Sequence, residues 1–311
     1  MSNRVDISSG RQVVFVGGTA YSGSTLLCLT LANHPEGFAT GEVQHAFYPW
    51  MPAHRDYLNK CTCGDSPCPL WSRVVEGGSR DVYSELFRTE ADLRFLVDSS
   101  KNVFWTRDHS QRLRSQGIQT KHILVWKSPA QLKASYEKRG LGHTWLKDWL
   151  FYHRLYFALM PDHLTLAYSD YTADPIASLR SACDYTSLEY FENKEKYWDK
   201  RYHSLGGNPS ARVHLYDNDS SEFVNAQKSI ARRKASESPA EHKKIYQVST
   251  EGDDELIQDS SMAQLLLEYL RAGAPVDDPV RDELTFSRPQ IALARTKLGI
   301  NRRFGRLRHG L

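Results

Sequence analysis

The chain has 311 residues, 40% of them hydrophobic, and a formal net charge of +3. That length suits one α/β domain with insertions, the apolar share sustains a sizeable core, and so mild a charge gives no ground for nucleic-acid binding. No apolar run approaches the roughly eighteen residues that a membrane-spanning helix needs. The polar opening MSNRVDISSGRQ lacks a signal-peptide core, so a cytoplasmic protein is expected, with peripheral membrane contact left open.

Val13-Val14-Phe15-Val16 is a short β-branched apolar run and predicts a buried strand. It breaks at Gly17-Gly18, and an apolar helix pattern opens at Ser24-Thr25 with Leu26, Leu27, Leu29 and Leu31. Strand, glycine turn and helix form a phosphate cradle, because turn N–H groups and the positive end of the helix dipole converge on one anion. Gly18 and Gly23 would let the main chain come close to that anion. Gly18, Gly23 and Thr25 keep the register of the nucleotide-binding P-loop, but Ser24 stands where its lysine belongs. That lysine reaches the outer phosphates of ATP or GTP, so a kinase reading is weakened.

GGTAYSGSTLL followed by NHPEGFATGE resembles the 5′-phosphosulfate loop of sulfotransferases that use 3′-phosphoadenosine 5′-phosphosulfate (PAPS). The tyrosylprotein sulfotransferases and a broad bacterial group share this layout. The resemblance implies a P-loop-like, doubly wound parallel α/β sheet flanked by helices. It further implies that Gly18, Thr19, Ala20, Tyr21, Ser22, Gly23, Ser24 and Thr25 hold the phosphosulfate. Tyr21 departs from the pattern, since relatives often carry Arg or Lys there. Glu42, just after Gly41 at the end of a predicted strand, is well placed to take a proton from a hydroxyl. In the resembling enzymes the Glu of this pair is the catalytic base.

CTCGDSPCPLW follows at residues 61–71, within an insertion over about 50–90. Cys61, Cys63 and Cys68 could be zinc ligands with His54 or His45 as a fourth. The spacing is C-x-C-x₄-C with no second pair, however, and no metal is expected. The segment resembles a CxCG…CPxW insertion of the bacterial group, where a lid or acceptor-side wall with Trp71 packed inward is the expectation. Five cysteines and a cytoplasmic reading argue against disulfides.

Leu93–Asp98 predicts the next strand and ends in Ser99-Ser100-Lys101. By the resemblance, Lys101 faces the transferring group. A helix over Arg107–Gly117 and a strand over His122–Trp126 precede Lys127-Ser128-Pro129. Here the family carries its 3′-phosphate site, an Arg with a Ser eight residues on. Lys127 and Ser135 keep that spacing, though lysine lacks the bidentate fork of arginine and Ser128 replaces the usual Asp. In the apolar helix over 143–160, Trp145, Trp149 and His153 share one face, which favours core packing over an acceptor wall. Leu164–Tyr168 predicts the last strand, and a helix starts near Asp174-Pro175. YHSLGGNPSARV, residues 202–213, resembles a bacterial segment near the cofactor's nucleotide, which makes Asn208 and Arg212 candidate contacts, Arg212 to the 3′-phosphate.

The core is thus expected over 1–215. A helical C-terminal extension over 216–311 would pack on the same domain, with an amphipathic helix at Met262–Arg271, a polar helical stretch at 223–247 and a basic tail at 295–311. The expected activity is transfer of a sulfo group from PAPS to a hydroxyl of a carbohydrate or small metabolite, with 3′-phosphoadenosine 5′-phosphate (PAP) as by-product. Glu42 would be the base, and Lys101 would stabilise charge on the bridging oxygen. A non-catalytic PAPS-binding or nucleotide-binding relative and a P-loop kinase are the alternatives.

Overall fold

The computed structural model describes residues 10–200, 202–216, 224, 227 and 252–309. The β-branched run becomes β1 (Gln12–Gly17), buried along its whole length, and the glycine turn leads into α1 (Ser24–Leu31). β2 (Gly37–Gly41) follows, then a short α2 (Gln44–Phe47), and the insertion folds as α3 (Pro69–Glu76) and α4 (Val82–Thr89) after two short 3₁₀ turns. β3 (Phe95–Asp98), α5 (Val103–Ser115), β4 (Gln119–Trp126), α6 (Pro129–Glu137), α7 (Trp145–Leu159) and β5 (Leu164–Ala167) complete the alternation. Then come α8 (Tyr168–Ala173), α9 (Pro175–Thr186) and the single turn α10 (Pro209–Arg212).

All four strand pairings are parallel, in the order β2-β3-β1-β4-β5. β1 lies at the centre, with Val13 opposite Leu96 of β3 and Phe15 opposite His122 of β4. Parallel strands need crossovers that cover both faces, so each strand reads as near-continuous apolar sequence. Alternate side chains serve opposite layers. Val14, Val16, Ile123 and Val125 pack with α1 and α9, whereas Val13, Phe15 and Leu96 pack with α3, α4 and α5. This is the doubly wound α/β sheet expected from the strand–turn–helix pattern.

The C-terminal residues add α11 (Asp253–Ile257), α12 (Ser261–Arg271), α13 (Val280–Leu284) and α14 (Arg288–His309). The amphipathic pattern of α12 buries Ala263, Leu266, Leu267 and Leu270 in one core with Trp149, Tyr156 and Phe157 of α7. The segment expected as a basic tail is a 22-residue helix, α14. It docks through arginine as well as through buried Ala294: Arg295 pairs with Asp108 and lies 5.4 Å over the Phe104 ring. The expected polar helix at 223–247, with Arg232, Arg233 and Lys234, lies outside the described residues apart from two positions. No helix among the described residues is long and apolar enough to cross a membrane.

Candidate active site

The turn between β1 and α1 is shaped by two glycines for reasons of packing. Gly18 (φ +143°) and Gly23 (φ +104°) hold backbone angles that L side chains rarely adopt. A Cβ on Gly18 would lie 2.3 Å from Ser22 Oγ and 2.4 Å from the Val125 carbonyl; one on Gly23 would lie 2.3 Å from the Tyr168 ring. The Gly18 N–H donates to Tyr152 Oη at 2.8 Å. Beyond it, the N–H groups of Ala20, Tyr21, Ser24 and Thr25 meet no protein acceptor among the described residues. The hydroxyls of Thr19 and Ser22 are buried and have no protein partner among the described residues. Buried hydroxyls without partners are costly in a finished fold, the open N–H groups line the same turn, and the dipole of α1 adds positive potential here. The turn therefore fits a phosphate or sulfate group.

Tyr21 (φ +67°) turns its ring edge-on to Tyr136 and carries the Arg139 guanidinium 3.8 Å above its face. A cation thus reaches the cradle's rim from the end of α6, although the loop itself has none. Arg139 is absent from the sequence-derived candidates. Nothing in the spacing between residues 21 and 139 signals the contact, which depends on β4 and α6 lying beside the loop.

Glu42 and Lys101 come together at the ends of β2 and β3 as an ion pair, both mostly buried. Their meeting depends on Asp98, which is 1% exposed. Asp98 accepts the Ser100 N–H at 2.8 Å, Thr40 Oγ1 at 2.8 Å and Ser100 Oγ at 3.0 Å, and Ser99 N–H donates to the Gly41 carbonyl at 2.8 Å. These bonds stitch the two strand ends together, and Lys101 then turns through φ +62° towards Glu42. Burial pushes the Asp98 carboxyl up to about 6 despite the donors from Ser100 and Thr40. His45 Nε2 lies 3.6 Å from Glu42, but burial, with His54 and Lys101 nearby, pushes His45 down to about 2. The contact is therefore that of a neutral imidazole rather than an ion pair.

At the end of β4, Lys127 Nζ donates to Ser135 Oγ at 3.2 Å and sits 4.3 Å over the Tyr168 ring. The eight-residue spacing thus forms one site. Ser128 serves as the N-cap of α6, in a capping box with Gln131, a task as open to Ser as to Asp. Burial, followed by Arg139 and Lys138, pushes Lys127 down to about 7. Lys127 thus feels the positive charge of two residues just past the end of α6, a setting that an anion relieves.

Asn208 joins the cradle from the other side: its N–H donates to Thr25 Oγ1 at 3.1 Å, and its side chain caps α10. Arg212 is found elsewhere than expected. It is 5% exposed, donates to the Lys60 carbonyl at 2.5 Å and lies 5.2 Å over the Tyr216 ring, contacts that involve neither Lys127 nor Ser135. Trp149 and His153 are fully buried, in line with core packing. His45 and His54, the fourth ligands considered for the cysteines, stack on each other at 3.7 Å; the imidazole beside Cys61 and Cys68 is His203.

A cleft of about 550 Å³ opens beside this site. Gln44 and Asn102 line it next to the Glu42–Lys101 pair, with Tyr48 and Trp105 as aromatic walls and Arg295 and Arg302 contributed by α14. With its amide oxygen turned towards α14, Gln44 accepts from Arg302 Nη1 at 2.8 Å.

No family model and no curated protein matches the sequence. Among solved structures, the chain is similar to a sulfotransferase domain from the Synechococcus PCC 7002 olefin synthase, with 16% identity and a TM-score of 0.47 over 80% of this chain and 94% of that one. It is also similar to a sulfotransferase domain from the curacin biosynthetic pathway, with 15% identity and a TM-score of 0.43 over 71% of this chain and 98% of that one. At such values the likeness is one of chain outline.

Proposed function

We propose that this chain is a PAPS-dependent sulfotransferase acting on a hydroxyl of a carbohydrate or small metabolite. The observation that carries the reading is the meeting of Glu42 and Lys101 at adjoining strand ends of the same sheet that bears the open N–H cradle and the Lys127–Ser135 pair. Each part has one task. The cradle N–H groups of residues 20–25, with Thr19 and Ser22 beneath them, hold the 5′-phosphosulfate. Lys127, Ser135 and Arg139 hold the 3′-phosphate, the group that separates PAPS from ATP. PAPS supplies the activated sulfo group. Lys101 stabilises negative charge on the leaving phosphate oxygen, and Glu42, released from Lys101, takes the proton of the acceptor hydroxyl. The acceptor enters by the cleft between Trp105 and α14, whose aromatic and arginine walls suit a ring that carries polar or anionic groups.

A relative without a cation at position 21 would bind cofactor without turning it over; Arg139, 3.8 Å over the Tyr21 ring, brings a cation back to that rim and so speaks for the catalytic reading. The test is calorimetric titration with PAP beside ADP and ATP, followed by an acceptor screen that reads PAP release from PAPS. Selective binding of PAP and acceptor-dependent release are expected. Preference for ATP, or no binding of PAP, would overturn the reading; PAP binding without turnover on any hydroxyl acceptor would favour a cofactor-binding module.

A further inference from the structure

Cys61, Cys63, Cys68 and His203 bring one ligand atom each to a common centre, all four within 4.8 Å of one another. His203 Nδ1 lies 3.3 Å from Cys68 Sγ and 3.8 Å from Cys61 Sγ. A tetrahedral zinc ion with bonds of ~2.3 Å to sulfur and ~2.0 Å to nitrogen sets its ligand atoms ~3.5–3.8 Å apart, so the group needs little adjustment to accept one. An iron–sulfur cluster would need room for its own body between the sulfurs. All three thiols are free, with Cys61 and Cys68 buried and Cys63 at the edge.

The ligands come from two distant segments that are already laced together. Thr62, between the first two cysteines, donates its hydroxyl to the Tyr202 carbonyl at 2.7 Å and accepts the Ser204 N–H at 3.0 Å. Its own N–H donates to the Ser204 carbonyl at 3.1 Å, and Trp71 Nε1 donates to the carbonyl of His203. These bonds fix the backbone around both ligand sets, which is what a preformed metal site requires. They also lead to the end of the sheet that carries Glu42. Leu205 N–H donates to the Thr40 carbonyl at 3.1 Å, the Leu205 carbonyl accepts the Glu42 N–H at 2.7 Å, and three residues later Asn208 reaches Thr25.

We propose that Cys61, Cys63, Cys68 and His203 bind one zinc ion, which staples the cysteine insertion to the 202–208 strap and so holds the backbone of Glu42 and the rim of the cradle. With four protein ligands the coordination is closed, and the ion is structural. This proposal stands apart from the sulfotransferase reading, because its test reads metal rather than turnover.

The test uses the full chain, purified without a histidine tag and under reducing conditions. Mass-spectrometric metal analysis is expected to find one zinc per chain that survives dialysis. Cobalt(II) added to the chelator-stripped protein should give a thiolate-to-cobalt charge-transfer band and the intense visible bands of tetrahedral cobalt. Cys63→Ser changes the least buried ligand, and with His203→Ala it is expected to weaken cobalt binding ~10²-fold or more. If either variant fails to fold, the cobalt spectrum of the unaltered chain decides. Zinc-free protein whose cobalt spectrum lacks the thiolate band would overturn the proposal, as would folded variants that keep full zinc content.

Discussion

Glu42 and Lys127 carry the sharpest tests because each has one stated task. Glu42→Gln keeps the size of the side chain and removes the base. Turnover is expected to fall ~10²–10⁴-fold with PAP affinity retained, measured by PAP release and by calorimetry. Unaltered turnover would take Glu42 out of the chemistry. Lys127 is pushed down to about 7 by burial and by its cationic neighbours, so it loses its charge as pH rises through that value. A bound phosphate favours the charged form, so binding draws a proton onto the amine. PAP affinity is expected to fall as pH rises from 7 to 9, approaching ~10-fold per unit, with proton uptake near pH 7 in calorimetry across buffers of different ionisation heat. Lys127→Arg stays charged throughout and should flatten that profile. A profile that is the same in both proteins would put the 3′-phosphate elsewhere.

The element that decides the site's geometry is the end of β3. Asp98 holds both Ser100 donors and Thr40, and through them the turn that presents Lys101. Its folded value of about 6 lies above the ordinary 3.8, so between these values the folded chain binds more protons than the unfolded one. Stability on this account is present at pH 4 and lost as pH rises towards 6, by up to ~3 kcal/mol. Asp98→Asn removes the titrating group. The unfolding free energy of the unaltered chain relative to this variant, from urea titrations at pH 4, 5 and 6, should therefore shrink as pH rises. A constant difference would show that Asp98 does not titrate in this window. The same variant should lower turnover more than PAP affinity, because the turn it loosens carries Lys101 and not the cradle.

Across the whole molecule, the C-terminal helices finish a site that begins near the N-terminus. α14 crosses the cleft and sets Arg302 against Gln44, two residues from Glu42. Arg302→Ala is expected to raise the acceptor KM ~10-fold, the worth of one charged hydrogen bond of ~1.4 kcal/mol, while PAP affinity holds. An equal loss in both would mean that α14 supports the fold rather than the acceptor.

What is local was legible in the residues themselves. The β-branched run, the glycine turn and the apolar helix face each depend on a few neighbours in the chain, so β1, the cradle and α1 could be read directly, as could the ends of β3 and β4. The Lys127–Ser135 contact was legible for the same reason, because eight residues across a strand end and a helical turn leave little freedom. What depends on long loops closing was not. Arg139 meets Tyr21, His203 meets Cys68 and Arg302 meets Gln44 across separations that carry no periodic signal. Arg212, in a motif that looked like a phosphate contact, turns instead to the Lys60 carbonyl. The charge of residues 295–311 predicts a basic tail and no partner for it, and only Asp108 and Phe104 of α5 and the cleft show where Arg295 and Arg302 of α14 lie. Hydrophobic pattern and turn chemistry determined the sheet and which of its edges bears the open N–H turn. The packing of distant segments on that edge decided which cations, ligands and walls complete it, because side-chain partners are chosen by proximity in the folded chain rather than by order along it.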